Sequence, residues 1–217
     1  MLTKEQKTVL EEIFGSSISK IATWGGGTAL SENYLKHRQS EDIDIILTDL
    51  LEATELTILT NQIKNKLGAT HKESFPKRNR FQYVFILKDA KQLKVEFIYY
   101  PFPKLEKAKR IGKIKIESLK DIATSKALSA YQRAEVKDAF DLYFLLKEKY
   151  FTLEQLIKGV EEKFYEKIDP PTLVARLSDS LKNYDSIKPI LLRKVSGEDL
   201  EEIFKAEFNK LARKHRL

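Results

Sequence analysis

The pattern of apolar and polar positions divides the chain into a mixed first half and an almost entirely helical second half. In the first half, the helical spacing of apolar residues predicts helices at residues 3–15, 28–36 and 50–67. Short apolar runs predict strands at residues 20–24, 42–47, 81–87 and 93–99. The second half is predicted to hold five helices, which begin near residues 118, 136, 152, 171 and 196.

The last two predicted strands are expected to form a β-hairpin around a turn at residues 88–92. In the second of these strands Leu93, Val95, Phe97 and Tyr99 share one face, and Lys94, Glu96 and Ile98 share the opposite face. The basic segment 104–115 is expected to be a loop and a short strand that joins the two halves. We therefore expect an α/β domain at residues 1–116 and a helical domain at residues 117–217, packed against it.

A run of glycines and a pair of acids stand out in the first half. Gly26 and Gly27 lie in a glycine run between a predicted strand and a predicted helix, where backbone N–H groups can approach an anion closely. Asp42 and Asp44 lie two residues apart in the next strand, so their side chains project from the same face. Two adjacent carboxylates repel each other unless a cation lies between them, and such hard oxygen ligands suit Mg²⁺ or Mn²⁺. The pattern predicts metal-assisted transfer of a phosphate-containing group.

A third carboxylate is expected because two metal ions need more oxygen ligands than two aspartates supply. Glu96 is the best candidate, since it lies in the middle of a strand and faces away from its apolar neighbours. The alternative is an exposed glutamate that pairs with Lys94 or with a lysine on the neighbouring strand.

Charged residues in the second half form another candidate group. Lys126 lies among small and apolar helical neighbours, from which an ammonium group can reach phosphates as a point charge. Asp138 and Asp141 lie in the first turns of the next helix, where acids are favoured electrostatically whether or not they have a catalytic role. Arg133 could equally pair with one of these acids and so join the two helices.

Arg38 and Ser40 precede the paired aspartates, and each has two interpretations. They could contact phosphate or orient an aspartate, or they could be a turn residue and a strand cap. His37, next to them, is interpreted as an ordinary turn residue, because transfer of a phosphate-containing group does not require a histidine base if an aspartate or a bound hydroxide accepts the proton.

Composition adds a basic character and excludes some classes of protein. The net charge of +7 and the pI near 9.3 favour polyanionic partners, although solubility alone explains such values equally well. The basic segments 77–83, 105–115 and 211–217 could bind an RNA backbone or could be solvated surface. The absence of cysteine excludes disulfides and thiolate zinc sites and fits a cytoplasmic protein, and no apolar stretch is long enough for a membrane span.

The motif Gly26-Gly27-Thr28, a helical spacer and Asp42-Ile43-Asp44 resembles the nucleotidyltransferase superfamily that includes DNA polymerase β. Thr28 takes the place of the serine found in the wider superfamily. The longer pattern GGTAL…HRQSEDIDI is similar, more narrowly, to the AbiEii/AbiGii-type nucleotidyltransferase toxins. These proteins carry GGTAL followed by Arg-x-Ser-x-Asp-x-Asp, and Arg38 and Ser40 occupy the first two places of the second motif here.

The resemblance implies an α+β nucleotidyltransferase fold with a mixed sheet flanked by helices, followed by a helical C-terminal half. It implies transfer of an NMP from an NTP to an acceptor hydroxyl, with a toxin-like role, a cognate antitoxin and an RNA such as tRNA as acceptor. The residues implied are the metal ligands Asp42, Asp44 and Glu96, the triphosphate-binding Lys126, Asp138 near the active site, and the phosphate-binding Gly26, Gly27, Thr28, Arg38 and Ser40. The family often has aspartate where Glu96 stands.

Two other functions stay open from the sequence. The acceptor could be a small molecule such as an aminoglycoside, or a protein hydroxyl, because the C-terminal half sets acceptor choice. The chain could also be a nucleotide- or RNA-binding module without catalysis. The complete set of three acids argues against that reading, because an inactive protein has no physical need for three mutually repelling carboxylates.

Overall fold

The structure is a computed structural model that describes residues 2–77, 79–88 and 90–215. The chain forms two compact units. The first comprises residues 1–34, 40–102 and 107–118, and the second comprises residues 35–39, 103–106 and 119–217. Within the described ranges, no helix has both the length and the apolar character that crossing a membrane requires.

A mixed seven-stranded sheet is the framework of the first unit. Its strands are β1 (Ala22–Gly25), β2 (Ile43–Leu47), β3 (His71–Lys77), β4 (Arg80–Ile86), β5 (Gln92–Tyr99), β6 (Lys109–Ile111) and β7 (Ile114–Ile116). They lie in the order β3-β4-β5-β2-β1-β7-β6. The pairs β2–β5 and β1–β7 are parallel and the others are antiparallel. The predicted α+β class with a mixed sheet is confirmed.

The helices of the first unit are α1 (Lys4–Gly15), α2 (Gly26–Leu30) and α3 (Ala53–Leu67). Helix α1 begins with a capping box, in which Thr3 and Gln6 each accept a hydrogen bond from the other's backbone N–H. Helix α3 ends at Gly68, whose φ of 60° lies in the left-handed region that favours glycine. The helix predicted at residues 28–36 is instead the short α2, followed by one π-helical turn at Ser31–Leu35.

Two strand regions differ from the sequence prediction. Strand β3 was not predicted, because its side chains are mostly exposed and it contains Pro76. An edge strand tolerates proline, since it needs hydrogen-bond partners on only one side. The segment expected to be a loop and one short strand contains the hairpin β6–β7, which turns at Gly112 with a φ of 57°.

The second unit is helical, as predicted. Its helices are α4 (Leu119–Arg133), α5 (Val136–Lys147), α6 (Leu153–Phe164), α7 (Pro170–Ser180) and α8 (Gly197–His215). A 3₁₀ segment at Leu181–Ile190, which contains Pro189, was not predicted. Residues 35–39 belong to this unit and lie beside the end of the 3₁₀ segment. There the Gln39 N–H donates to the Ile190 carbonyl at 2.7 Å.

Candidate active site

The centre of the first unit aligns an acid from each of two neighbouring strands with a glycine from a third. Asp44 on β2 pairs with Glu96 on β5 and, on its other side, with Gly25 on β1. Directly paired residues project from the same face of a sheet, so the two carboxylates are neighbours on one face. This register brings together residues that are far apart in the sequence.

The glycine turn lies directly against the Asp44 carboxylate. Gly26 has a φ of +71°, and a Cβ atom at this position would lie only 1.8 Å from Oδ2 of Asp44. At Gly25 a Cβ would lie 2.3 Å from a carboxylate oxygen of Glu117. Both the backbone conformation and the space therefore require a residue without a side chain.

Polar side chains from two helices hold the loop that leads into Asp42. The buried Thr28 hydroxyl donates to the carbonyl of Asp42 and is hydrogen-bonded to the Ser40 hydroxyl at 2.8 Å. The Gln6 amide donates to the carbonyl of Glu41 at 2.9 Å. Thr28 and Ser40 therefore fix the approach to the paired acids.

A lysine ammonium group bridges two of the three acids. Nζ of Lys94 lies 2.7 Å from Oδ2 of Asp42 and 3.3 Å from Oε1 of Glu96. Partial burial by itself would lower the pKa of Lys94, but the two carboxylates outweigh burial and leave this pKa raised. Glu96 also pairs with Arg80 of the neighbouring strand at 3.2 Å. The alternative prediction was an exposed glutamate paired with a basic residue. Glu96 does pair with basic residues, but it is buried and not exposed.

The acidic face formed by Asp42, Asp44 and Glu96 offers oxygen atoms, which are the ligands that divalent cations such as Mg²⁺ prefer. All three candidate ligands are carboxylates, and the bridging ammonium shows that the face stabilises a positive charge. As the side chains stand, no group of three or more His, Cys, Asp or Glu residues in the described part of the chain could hold a metal ion. In this structure the ammonium group of Lys94 is the cation that lies between Asp42 and Glu96.

The second unit contains a buried ionic cluster centred on Asp141. Its carboxylate accepts hydrogen bonds from Nε of Arg38 at 2.7 Å and from Nη2 of Arg38 at 2.9 Å. Nε2 of His37 lies 2.6 Å from Oδ1, and Nζ of Lys126 lies 2.8 Å from Oδ2. Burial alone would raise the pKa of Asp141, but Arg38, Lys126 and the hydrogen bonds hold it well below its usual range.

Lys126 is held between two carboxylates. Its ammonium lies 2.8 Å from both Asp138 and Asp141. Burial by itself would lower the pKa of Lys126, but these two carboxylates outweigh burial, so the pKa is raised and the lysine is charged. Arg133 pairs with Asp138 at 2.9 Å, and this contact joins α4 to α5. Arg133 therefore has the structural role considered from the sequence, which is to join the two helices through an ion pair.

His37 is completely buried, which its interpretation as a turn residue did not predict. Its ring stacks on Phe140, with centroids 5.5 Å apart. Burial lowers the pKa of His37 more strongly than Asp141 raises it, so the imidazole is neutral near pH 7 and donates its Nε2–H to Asp141. Nδ1 is buried without a hydrogen-bond partner among the described residues.

The predicted site residues divide between the two units. The first unit holds Gly26, Gly27, Thr28, Ser40, Asp42, Asp44 and Glu96, and the second holds Arg38, Lys126 and Asp138. Sequence reasoning treated Asp141 only as a first-turn acid and Lys94 only as an alternative partner of Glu96. The signal for Asp141 was its position three residues after Asp138, which puts both on one helix face. Nothing local indicated its contacts with His37 and Arg38.

The mixed sheet, with its glycine turn against a strand aspartate, agrees with the nucleotidyltransferase fold expected from the sequence. The family described as "Nucleotidyl transferase AbiEii toxin, Type IV TA system" matches residues 22–216. The chain therefore belongs to the AbiEii nucleotidyltransferase toxin family, and it is a nucleotidyl-transfer enzyme by that membership.

The chain is also similar to one protein in sequence and, in fold, to two solved structures. The uncharacterised protein aq_aa25 of Aquifex aeolicus is 30% identical over 211 residues, which cover 94% of each chain. The crystal structure of JHP933 from Helicobacter pylori has a TM-score of 0.64 at 20% identity, covering 98% of this chain and 93% of that one. MenT4, a nucleotidyltransferase toxin of Mycobacterium tuberculosis, has a TM-score of 0.55 at 12% identity, covering 95% and 81%. At these identities the two structures show the shared fold.

Proposed function

We propose that this enzyme transfers a nucleoside monophosphate from an NTP to an acceptor hydroxyl, with divalent metal ions held by Asp42, Asp44 and Glu96. The observation that supports this most directly is the pairing of Asp44 with Glu96 beside the turn at Gly26. In the reaction, the acceptor oxygen bonds to the α-phosphorus, the α–β anhydride bond breaks, and pyrophosphate and the hydroxyl proton are released.

The three carboxylates are suited to Mg²⁺ or Mn²⁺, both of which prefer oxygen ligands. When bound there, such an ion supplies positive charge that offsets the negative charge of the triphosphate. Asp42 and Glu96 must first exchange their contacts with Lys94 for contacts with the ion. Asp44 has a fixed position on β2, because the glycine turn leaves no space for it to move toward Gly26.

The glycine turn positions the phosphates. The N–H groups of Gly26 and Gly27 begin α2, and no side chain at Gly26 separates its backbone from the acidic face. The hydroxyls of Thr28 and Ser40 hydrogen-bond to each other. Their contribution to phosphate binding is therefore to hold the turn and the approach to Asp42 in register.

Lys126 provides positive charge toward the triphosphate. An ammonium group has three N–H donors, and Asp138 and Asp141 account for two of them. The third donor is the one proposed to bind a phosphate oxygen. Asp138 orients Lys126 and keeps it protonated, whereas Arg38 orients Asp141 and keeps it ionised.

RNA, with tRNA as the leading example, is the proposed acceptor, and a cognate antitoxin is the proposed protein partner. The toxin family and the net charge of +7 support this choice. The test is to incubate the purified enzyme with labelled NTPs, Mg²⁺ and either total RNA, total protein or small-molecule acceptors. We expect label in RNA, and none with Asp42→Ala/Asp44→Ala. Label that enters only protein or small molecules would contradict the RNA acceptor, and equal labelling by the double variant would contradict the proposed site.

A further inference from the structure

The basic segments identified in the sequence differ in how their charges are compensated. In residues 77–83, Arg80 pairs with the buried Glu96. In residues 211–217, Lys214 pairs with Glu154 at 2.7 Å. Arg78, Arg216 and Leu217 lie outside the described residues. Residues 105–115, which contain β6 and most of β7, carry the largest number of lysines and arginines of the three segments.

The hairpin region concentrates positive charge that is exposed to solvent. Residues 107–116 contain five basic residues and no acidic residue. The exposed ones are Lys107, Lys109, Arg110 and Lys113. Within residues 2–77, 79–88 and 90–215, no carboxylate pairs with Lys107, Arg110 or Lys113. The charge of these side chains is therefore available to an anionic partner.

The two strands of the hairpin place like charges opposite each other. Arg110 on β6 is the direct cross-strand partner of Lys115 on β7. Lys115 is held in position, because its ammonium donates to the carbonyls of Ser19 at 2.6 Å and Lys20 at 3.0 Å. Directly opposed like charges destabilise a hairpin. An anion bound across this pair would relieve that repulsion.

The hairpin is attached to the strand that leads into the glycine turn. Ile116 of β7 pairs with Trp24 of β1, and the next residue, Gly25, begins the turn. Strand β6 is the last strand of the sheet, so its outer edge faces away from the other six. Ile111, in the same strand, is 50% exposed and offers an apolar contact beside the charges.

We propose that the hairpin β6–β7 and the preceding Lys107 bind the phosphate backbone of an RNA strand, through Lys107, Lys109, Arg110 and Lys113. The role of this strand as acceptor rests on the proposed function, but its binding to the hairpin does not require catalysis. Each basic side chain that neutralises a phosphate releases a condensed counterion. Binding of this kind therefore weakens in a defined way as the salt concentration rises.

The test compares two variants with the same net charge. Arg110→Gln/Lys113→Gln removes two hairpin charges, and Lys158→Gln/Lys205→Gln removes two exposed charges from α6 and α8. Binding of a fluorescent tRNA-sized RNA, and of a DNA strand of the same sequence, is measured in EDTA without NTP. For the hairpin variant we expect about tenfold weaker RNA binding and a salt slope smaller by about 1.4, at about 0.7 per contact.

The control variant should bind the RNA nearly as the unaltered enzyme does. Equal affinity of the two variants, or equal salt slopes, would overturn the proposal. The DNA strand distinguishes the two sources of phosphate. If the unaltered enzyme binds DNA more weakly than RNA, the result supports an RNA partner. If it binds DNA more tightly than RNA, the result overturns that choice.

Two further measurements separate this proposal from the proposed function. The hairpin variant should melt no lower than the unaltered enzyme, because its change removes the Arg110–Lys115 repulsion. Asp42→Ala/Asp44→Ala should bind RNA normally. If no nucleotide transfer to RNA occurs but the hairpin variant still loses binding, the proposed function fails and the hairpin assignment stands. If transfer occurs and the hairpin variant binds like the control, the hairpin assignment fails alone.

Discussion

Nζ of Lys94 lies 2.7 Å from Oδ2 of Asp42, on the face of the sheet that also presents Glu96. The ammonium therefore compensates two carboxylates that would otherwise repel each other, and the protein supplies its own cation where the proposed function requires a metal ion. A divalent ion has to compete with this lysine.

Removing this cation should strengthen metal binding. We expect Lys94→Met to bind Mn²⁺ several-fold more tightly than the unaltered enzyme, because neither competition nor repulsion from the ammonium remains. Isothermal titration with Mn²⁺ measures the affinity directly, without reliance on activity. Lys88→Met, which changes an exposed lysine in the turn before β5, is the matched control. Equal or weaker Mn²⁺ binding by Lys94→Met would contradict the competition.

Gly26 should be far less tolerant of alanine than Gly112. A methyl group at Gly26 would lie 1.8 Å from Asp44, whereas Gly112 has a similar positive φ but open space around it. We expect Gly26→Ala to reduce nucleotide transfer by about a hundredfold, because the carboxylate or the turn must move by about 1 Å. Gly112→Ala should cost only about 1 kcal/mol of stability and leave transfer intact. Similar transfer rates for the two variants would contradict this.

Asp141 should contribute more to stability than the exposed Glu135, which immediately precedes the same helix. Asp141→Ala leaves Arg38 and Lys126 buried without their shared partner, and losing one member of a buried ionic group costs about 3–5 kcal/mol. Urea unfolding measures this loss. Glu135→Ala, whose carboxylate is about half exposed, should change the free energy of unfolding by less than about 1 kcal/mol. A loss of similar size in both variants would contradict the role of Asp141.

His37 should make the protein less stable in mild acid. Its pKa is lower in the folded protein than the usual 6.5, so the unfolded chain binds the proton more readily. The stability that neutral His37 provides is present above about pH 6.5 and decreases as the pH falls through that value toward the folded pKa. Unfolding free energies at pH 7 and pH 5 should therefore differ more for the unaltered enzyme than for His37→Gln. Parallel pH profiles would contradict the assignment.

The nucleotidyltransferase fold with its mixed sheet was implied by the family resemblance of the glycine and aspartate motifs. Local sequence patterns were sufficient to predict the α/β first half, the five C-terminal helices and the shared face of Asp42 and Asp44. Those features follow from helical spacing, capping residues and the two-residue period of strands. The partners of these residues did not follow, because they lie far along the chain. His37 and Asp141 are 104 positions apart, and β3 carries too few buried side chains to have a strand pattern. Long-range pairing is set by packing, which no local window contains.

We propose that the acidic face of β2 and β5 performs nucleotide transfer. The variant Glu96→Gln is the sharpest test of this proposal. This change keeps the shape of the side chain and removes only its charge. Glu73→Gln removes the same charge from an exposed position in the same sheet and is the control. The measurement is the rate of pyrophosphate release with NTP, Mg²⁺ and RNA. We expect a loss of at least about a hundredfold for Glu96→Gln and no loss for Glu73→Gln. An unchanged rate for Glu96→Gln in a folded protein would contradict it.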